Sequence, residues 1–339
     1  MKLAAALVTV LALAAGGLVQ ADDQATRAAD PAAATATPPV VVPEPAPAPS
    51  PTPAPTLDPA ANPAPDPAPN PTTNPSLDPA VPARGPVIKP RRKSVAATVD
   101  PETGRLQKSE DEVAGGKHWR IKTEQGAVHV WVPPGYDRAT AGVVVYVHGY
   151  YVDADQAWKE YGLARQFKAS KQNAMFVVPD APSGNDEEVS WPALTDLRKA
   201  ITLANIHLPD GPTIVMGHSG AFRTVMKWID HKAVSEIILL DAMYGGQKQF
   251  EDFIASGKRA DDHKLIVVAA ATAAKSRDFA QQYKFAVARE KFPASLGEFS
   301  KRERRAKLLY VHSQYQHMQI VTSGKVIPML LRMTPLAAL

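Results

Sequence analysis

The stretch Thr213-Ile-Val-Met-Gly-His-Ser-Gly-Ala221 decides the fold, because an apolar, β-branched run enters a turn and then a helical pattern over residues 219–230 without any spacer. A strand that turns directly into a helix forces the corner residue into a strained backbone conformation, so its neighbours must be small. Gly217 and Gly220 meet that requirement around Ser219. The pattern predicts a serine hydroxyl raised above the end of a strand, in front of free helix N–H groups.

On both sides of this stretch, short apolar runs alternate with longer amphipathic ones. This alternation indicates an α/β fold with a mostly parallel sheet and helices on both faces. We predict eight strands, of which the first two form an antiparallel hairpin, over residues 118–122, 127–132, 142–147, 174–178, 213–216, 236–240, 264–270 and 307–311. Predicted helices cover residues 155–169, 191–205, 219–230, 247–256, 275–291 and 318–333. In such sheets ligands bind at the carboxyl ends of the strands.

The motif Gly217-His-Ser-Gly-Ala221 resembles the G-x-S-x-G nucleophile turn of α/β-hydrolase serine enzymes, with Ala221 in place of the last glycine. The resemblance extends over residues 117–339. It implies that Ser219 is a nucleophile, since a strand precedes it and a helix follows. A plain glycine-serine turn without chemistry is the alternative.

A second part of the resemblance is His148-Gly149-Tyr150, which follows the third predicted strand, where the family keeps its oxyanion loop. It implies that the backbone N–H groups of Tyr150 and Gly220 bind the substrate oxygen as that oxygen becomes negative. His148 is then structural. A glycine-containing strand exit with a buried histidine would explain the same residues.

The resemblance also implies a histidine base in the loop after the last strand, which contains His312 and His317. We choose His317, since it precedes the final helical stretch and lies far enough from the strand to reach over the sheet. His312 would instead close the strand.

The acid that orients this histidine is usually placed after the seventh strand, where residues 269–275 offer no carboxylate. Asp241 directly follows the sixth strand, a position that some α/β-hydrolases use. Asp278, in the next predicted helix, is the alternative. The chain order Ser219, Asp241, His317 agrees with the family.

The reaction implied is hydrolysis of an acyl ester or amide through an acyl-enzyme, with a carboxylic ester favoured over a peptide or amide. No cofactor is implied, and the other histidines have no metal-ligand spacing. Among the aromatic residues that follow strands, we expect five as candidates to line the cleft: Tyr150, Tyr151, Trp158, Trp191 and Tyr244.

The first part of the chain differs from the rest. Residues 1–21 place Lys2 before an apolar run that ends in Val19-Gln-Ala21, which predicts a cleaved signal peptide and no stable membrane span afterwards. An uncleaved membrane anchor is the alternative, but the run is short for a bilayer span and is followed by acidic residues. Residues 22–95 contain most of the 32 prolines, which predicts a disordered tether. The hydrolase-like domain would cover residues 96–339. We therefore expect an exported protein, periplasmic or extracellular.

The formal net charge of +4 includes basic runs at residues 89–93 and 301–307 without interleaved aromatic residues, so no nucleic acid is expected as a partner. An anionic cell-envelope polymer is a candidate partner. The alternative function is a catalytically inactive hydrolase-fold module that binds such a polymer or a protein. The natural substrate and the oligomeric state stay open.

Overall fold

A computed structural model describes residues 99–258 and 262–339. The predicted signal peptide and proline-rich tether lie outside the described residues.

The described residues form one sheet in the order β1-β2-β3-β5-β4-β6-β7-β8-β10-β9. Strands β1, β2 and β3 are antiparallel to their neighbours, and the strands from β5 through β9 in that order are parallel. The strands are Lys108–Val113, Gly116–Thr123, Gly126–Val132, Gly142–Val147, Ala174–Pro179, Thr213–His218, Val234–Leu240, Lys264–Ala269, Val287–Arg289 and Leu308–His312. The predicted fold class, a mostly parallel α/β sheet, is confirmed.

Two of these strands, β1 and β9, are additional to the eight predicted. β1 has the sequence KSEDEV, which is polar on both faces and pairs only with β2. β9 has three residues and pairs with β10. Neither strand contains the apolar run or alternation that would reveal it in the sequence.

Nine α-helices occur in residues 99–258 and 262–339: Ala154–Glu160, Leu163–Ser170, Leu194–Leu203, Phe222–Trp228, Gln247–Ser256, Ala273–Gln281, Lys301–Arg304, Gln319–Thr322 and Val326–Leu331, named α1 to α9. The helices predicted over residues 155–169 and 318–333 are each divided in two in the structure. Gly162 and Gly324, both with positive φ, lie at the breaks. The helix predicted over residues 275–291 is too long, because its second half contains β9.

The core has two layers, one on each face of the sheet. On β4, Val143 and Val145 pack into one layer, while Val144 and Tyr146 pack into the other, as the two-residue period of a strand requires. Helices α3 to α6 cover the first face and α1, α2, α8 and α9 the second. Helices on both faces were predicted. No helix within the described ranges combines the length and apolar character that a bilayer crossing needs.

Candidate active site

Ser219 lies at the corner between β6 and α4 with a φ of +55°, which is unusual for a residue with a side chain. A Cβ atom on Gly217 would lie 2.8 Å from the Val225 side chain, so glycine there lets the helix pack closely on the strand. Ala221, which replaces the last glycine of the motif, is buried in the core. The local geometry is therefore that of a nucleophile elbow.

Three side chains meet above this corner. Nε2 of His317 lies 2.9 Å from Oγ of Ser219, and Nδ1 of His317 lies 2.7 Å from Oδ2 of Asp241. His317 is 98 residues from Ser219 and 76 from Asp241 along the chain. The fold thus brings together the three residues that we predicted as nucleophile, base and orienting acid.

The proton positions follow from the chemistry of Asp241. Burial alone would raise its pKa, but hydrogen bonds from His317 and Thr272 outweigh this effect and hold the pKa well below its ordinary value. An ionised carboxylate only accepts hydrogen bonds, so Nδ1 of His317 carries a proton. In the neutral ring Nε2 then accepts the Ser219 hydroxyl proton. This is the tautomer that a base for Ser219 needs.

The buried carboxylate of Asp241 accepts five hydrogen bonds. Besides His317, the donors are the N–H groups of Ala270, Ala271 and Thr272 and the hydroxyl of Thr272, at 2.7–3.0 Å. All of these additional donors come from the loop after β8. The resemblance places the acid in this loop, because β8 is the seventh predicted strand. The loop instead contributes hydrogen-bond donors to Asp241, which follows the neighbouring strand β7.

The loop that carries His317 is fixed by its own hydrogen bonds. The Gln314 side chain bonds both backbone groups of Phe292 at 2.9 Å, and the Gln316 N–H donates to the Gln319 side chain at 3.0 Å. The side chain of His317 is 31% exposed. His317 is therefore held in place, yet part of its side chain remains exposed.

His218, which precedes the nucleophile, packs its ring 4.7 Å from the ring of His317. Its Nε2 lies 3.3 Å from the carbonyl oxygen of His317, whereas its Nδ1 has no partner in the described residues. Burial, followed by the neighbouring imidazole of His317, lowers the pKa of His218 to about 3. The ring is therefore neutral at neutral pH and can donate from Nε2 to the backbone of the base.

The two predicted oxyanion donors lie beside the serine. A Cβ atom on Gly149 would be 2.8 Å from Cβ of Ser219, so the loop after β4 touches the nucleophile. The Tyr150 ring lies against Gly220, where a Cβ atom would approach it to 2.4 Å. The N–H groups of Tyr150 and Gly220 donate to no acceptor within the described residues. Both remain available to a substrate oxygen.

His148 is fully buried under this loop. Its Nε2 accepts from the Ala181 N–H at 2.9 Å, and its Nδ1 lies 2.8 Å from the carbonyl oxygen of Gly149. These contacts fit the structural role predicted for His148.

Solved structures similar to this chain include three esterases or related hydrolases. An S-formylglutathione hydrolase from Agrobacterium tumefaciens is 14% identical with a TM-score of 0.40, and the match covers 66% of this chain and 97% of the hydrolase. A feruloyl esterase module from Clostridium thermocellum is 13% identical with a TM-score of 0.39, over 69% and 90% of the two chains. A hyperthermophilic esterase from Pyrobaculum calidifontis is 12% identical with a TM-score of 0.40, over 67% and 84%.

No family model matches the chain, and a search of curated proteins found no match. The strand order, the elbow at Ser219 and the order of Ser219, Asp241 and His317 along the chain therefore carry the assignment. The fold is α/β-hydrolase-like.

In this hydrolase-like fold the two alternative residues, His312 for the base and Asp278 for the acid, lie away from the contacts among Ser219, His317 and Asp241. The side chain of His312, at the end of β10, is 41% exposed and its Nδ1 lies 3.6 Å from Glu290. Asp278 is exposed on α6. His312 is thus the last residue of its strand, as expected from the sequence, and its side chain is partly exposed.

Of the five aromatic candidates for the cleft, the two tryptophans are buried in the core and the three tyrosines lie near the loops around Ser219. Trp158 and Trp191 belong to the core. Tyr151 is 68% exposed beside Tyr150. Burial raises the pKa of Tyr244 to about 12, the charge of Asp241 adds to the rise, and a contact with Ser219 opposes it. Tyr244 thus carries its phenolic proton beside Ser219, as expected for a residue that lines the cleft.

Proposed function

We propose that this chain is an exported serine hydrolase that cleaves an acyl ester through Ser219, His317 and Asp241. The observation that carries the proposal is the continuous pair of hydrogen bonds from Ser219 Oγ through His317 to Asp241, at 2.9 and 2.7 Å. Because Asp241 is ionised, the imidazolium that forms when His317 takes the serine proton has a counter-charge.

In the first half-reaction, Oγ of Ser219 attacks the acyl carbon as its proton passes to Nε2 of His317. The carbonyl oxygen becomes negative and accepts hydrogen bonds from the N–H groups of Tyr150 and Gly220. His317 then gives the proton to the leaving oxygen, the carbon–oxygen bond breaks, and an alcohol departs. The acyl group remains on Ser219 as an ester.

In the second half-reaction, His317 takes a proton from water, and the hydroxide formed attacks the acyl carbon of the acyl-enzyme. The same N–H groups bind the new oxyanion. When this intermediate collapses, His317 returns the proton to Ser219, and the carboxylic acid leaves. The partly exposed ring of His317 supports this step, since water reaches its open side.

An ester is the favoured substrate because its carbonyl carbon is less stabilised by resonance than that of an amide, so attack by the serine meets a lower barrier. The open rim around Tyr151 and Met318, both exposed, is compatible with large acyl groups or with a polymer-linked ester.

Export to the periplasm or the exterior is part of the proposal and is supported by the signal-like residues 1–21 alone. Mass spectrometry of the mature protein tests it. We expect a chain that begins at Asp22 in the exported fraction. A mature chain that still begins at Met1 would contradict export by cleavage.

The alternative, an inactive module that binds an anionic envelope polymer, is favoured by the proline-rich tether and by the basic runs. A third argument for it is the absence of a carboxylate after the seventh predicted strand. The 2.7 Å contact between Asp241 and His317 removes that argument. The basic runs remain compatible with polymer binding, so this alternative is an outcome of the test below.

A fluorophosphonate probe, which reacts with activated serines, tests the proposal. We expect the wild type to be labelled and to hydrolyse p-nitrophenyl esters, and Ser219→Ala to do neither. Ser235→Ala is the matched control. Ser235 is a partly buried serine near the N-terminal end of β7 and donates to Thr213 O at 3.2 Å, whereas Ser219 follows the C-terminal end of β6. A folded wild type that neither labels nor hydrolyses any ester would support the binding module instead.

A further inference from the structure

The guanidinium of Arg223 binds the loop between β5 and α3, residues 180–193, from its position on the first turn of α4. Nη1 donates to the carbonyl oxygens of Gly184 and Asn185 at 3.3 and 3.0 Å, and Nη2 donates to that of Glu187 at 2.8 Å. One side chain thereby satisfies three carbonyl groups of a loop that has no helix or strand of its own. A planar guanidinium suits this task, because its donors point in fixed, divergent directions.

The same Nη1 atom also donates to the hydroxyl of Tyr150 at 3.1 Å. That hydroxyl in turn donates to the Asn185 side chain at 3.3 Å. The backbone of the two loops is joined as well, since the Tyr151 N–H donates to Ser183 O at 2.9 Å. Arg223 therefore holds the Tyr150 side chain at its far end.

The Tyr150 ring occupies the position that links this network to the oxyanion donors. Its backbone N–H is one predicted donor, and its ring packs against Gly220, whose N–H is the other. A displacement of the ring would remove the contact that supports Gly220 and would release the loop that carries the N–H of Tyr150. The hydrogen bond from Arg223 to the Tyr150 hydroxyl opposes such a displacement, and the three bonds to the loop carbonyl groups fix Arg223 itself.

We infer that Arg223 is a positioning residue that holds the oxyanion-binding N–H groups of Tyr150 and Gly220 in place through the Tyr150 side chain. The inference rests on the proposed function, since it concerns the transition state of that reaction. Arg223 touches neither Ser219 nor His317 among the contacts of the described residues. Its influence on the reaction therefore passes through Tyr150.

This role makes a specific kinetic prediction. Donors aimed at a developing oxyanion act in the transition state, so their displacement lowers kcat and kcat/KM together and leaves KM nearly unchanged. A misplacement of about 1 Å is enough to cost about 100-fold in rate. An arginine that only stabilised the loop would lower the melting temperature without changing kcat per active site.

The experiment compares Arg223→Met, Arg223→Lys and the control Arg277→Met in p-nitrophenyl ester hydrolysis. Active sites are counted by end-point labelling with the fluorophosphonate probe. Arg277 is a suitable control because it pairs with Glu290 on the surface of α6 at 3.0 Å. We expect Arg223→Met to lose about 100-fold in kcat with KM within about threefold of the wild type. The kcat of Arg223→Lys should be about tenfold higher than that of Arg223→Met, since an ammonium supplies donors but not the planar fork.

Two further measurements separate positioning from folding. Affinity for phenylboronic acid, which forms a tetrahedral adduct with an active serine, should fall in parallel with kcat/KM across the Arg223 variants. In a Tyr150→Phe background the Arg223→Met change should cost about tenfold or less, since the hydroxyl that couples the two residues is already absent.

Unchanged kcat per active site in Arg223→Met would overturn the inference while leaving the proposed function intact. Full additivity of the Arg223 and Tyr150 changes would overturn it as well. A wild type without labelling or turnover would overturn the proposed function itself, and this result is seen before any Arg223 variant is compared.

Discussion

Thr272 donates both its backbone N–H and its hydroxyl to Oδ1 of Asp241, at 2.8 and 2.7 Å. Together with Ala270, Ala271 and His317, it surrounds both carboxylate oxygens of Asp241 with donors. The carboxylate therefore keeps its charge despite being buried, and it stays oriented toward His317.

Asp241→Asn should lower kcat by about 10⁴-fold, because an amide no longer selects the tautomer in which Nε2 of His317 is free to accept a proton. The amide NH₂ would also face N–H donors, which costs about 1–3 kcal/mol of unfolding free energy. Ester hydrolysis and urea unfolding measure the two effects. Asp278→Asn is the control, and a loss of rate there with none at Asp241 would assign the acid to Asp278.

His317→Ala should lower kcat by about 10⁶-fold, since removing the base of such a triad costs about as much as removing the whole triad. His312→Ala should keep wild-type kcat and change the unfolding free energy by less than about 1 kcal/mol, because its only ion-pair contact in the described residues is an exposed one with Glu290. The measurement is kcat of each variant at equal active protein. The reverse ranking would show that the base is His312.

Gly149→Ala should impair activity and stability together. The added Cβ atom would lie 2.8 Å from Cβ of Ser219 and 3.1 Å from Nδ1 of His218, so the oxyanion loop must move. We expect a loss of about 1–3 kcal/mol in unfolding free energy from overpacking and of about 100-fold in kcat from the displaced donor.

Gly297→Ala is the matched control for this change. Its Cβ atom would have its nearest neighbour at 3.8 Å, the Ser295 hydroxyl, which is an ordinary contact. Equal effects of the two substitutions on kcat would refute the steric argument for Gly149.

The neutral, buried ring of His218 predicts acid sensitivity. Its pKa falls from 6.5 in the unfolded chain to about 3 in the folded protein, so the unfolded state binds more protons between these values. Stability from this residue is therefore complete above about pH 6.5 and is lost as the pH falls, with a slope approaching about 1.4 kcal/mol per pH unit.

His218→Gln tests this assignment, because the amide can still donate to His317 O but does not titrate. Urea unfolding of both proteins between about pH 7 and pH 4 should give a shallower loss of unfolding free energy in the variant, by about 1.4 kcal/mol per pH unit at the acid end. Parallel curves would mean that the ring of His218 titrates normally in the folded protein.

Much of the fold could be predicted because the parallel strands are buried on both faces. Runs such as Val143-Val-Val-Tyr-Val147 are short, apolar at every position and rich in β-branched residues, which is typical of a central strand of a parallel sheet. β1 could not be predicted, since its polar residues pair through the backbone with β2 and contribute little to the core. The division between α1 and α2 was missed, because the apolar period continues through the break at Gly162.

For the site, the sequence located Ser219 by its motif and proposed His317 and Asp241 by their positions after strands. The structure brings these side chains within hydrogen-bond distance. The donors to Asp241 from residues 270–272 could not be foreseen, since backbone N–H groups have no signature in a sequence. Arg223 likewise looks like any polar residue of an amphipathic helix until the loop that it binds is folded.

The two ends of the sheet have a consequence for behaviour at high concentration. At one end, residues 109–112 of β1 are all exposed and three of them are acidic, and at the other β9 offers only three residues. An unpaired strand normally invites a strand from another molecule, but repelling carboxylates and a very short rim both discourage that addition. We therefore expect this domain to resist fibre formation even in concentrated solution.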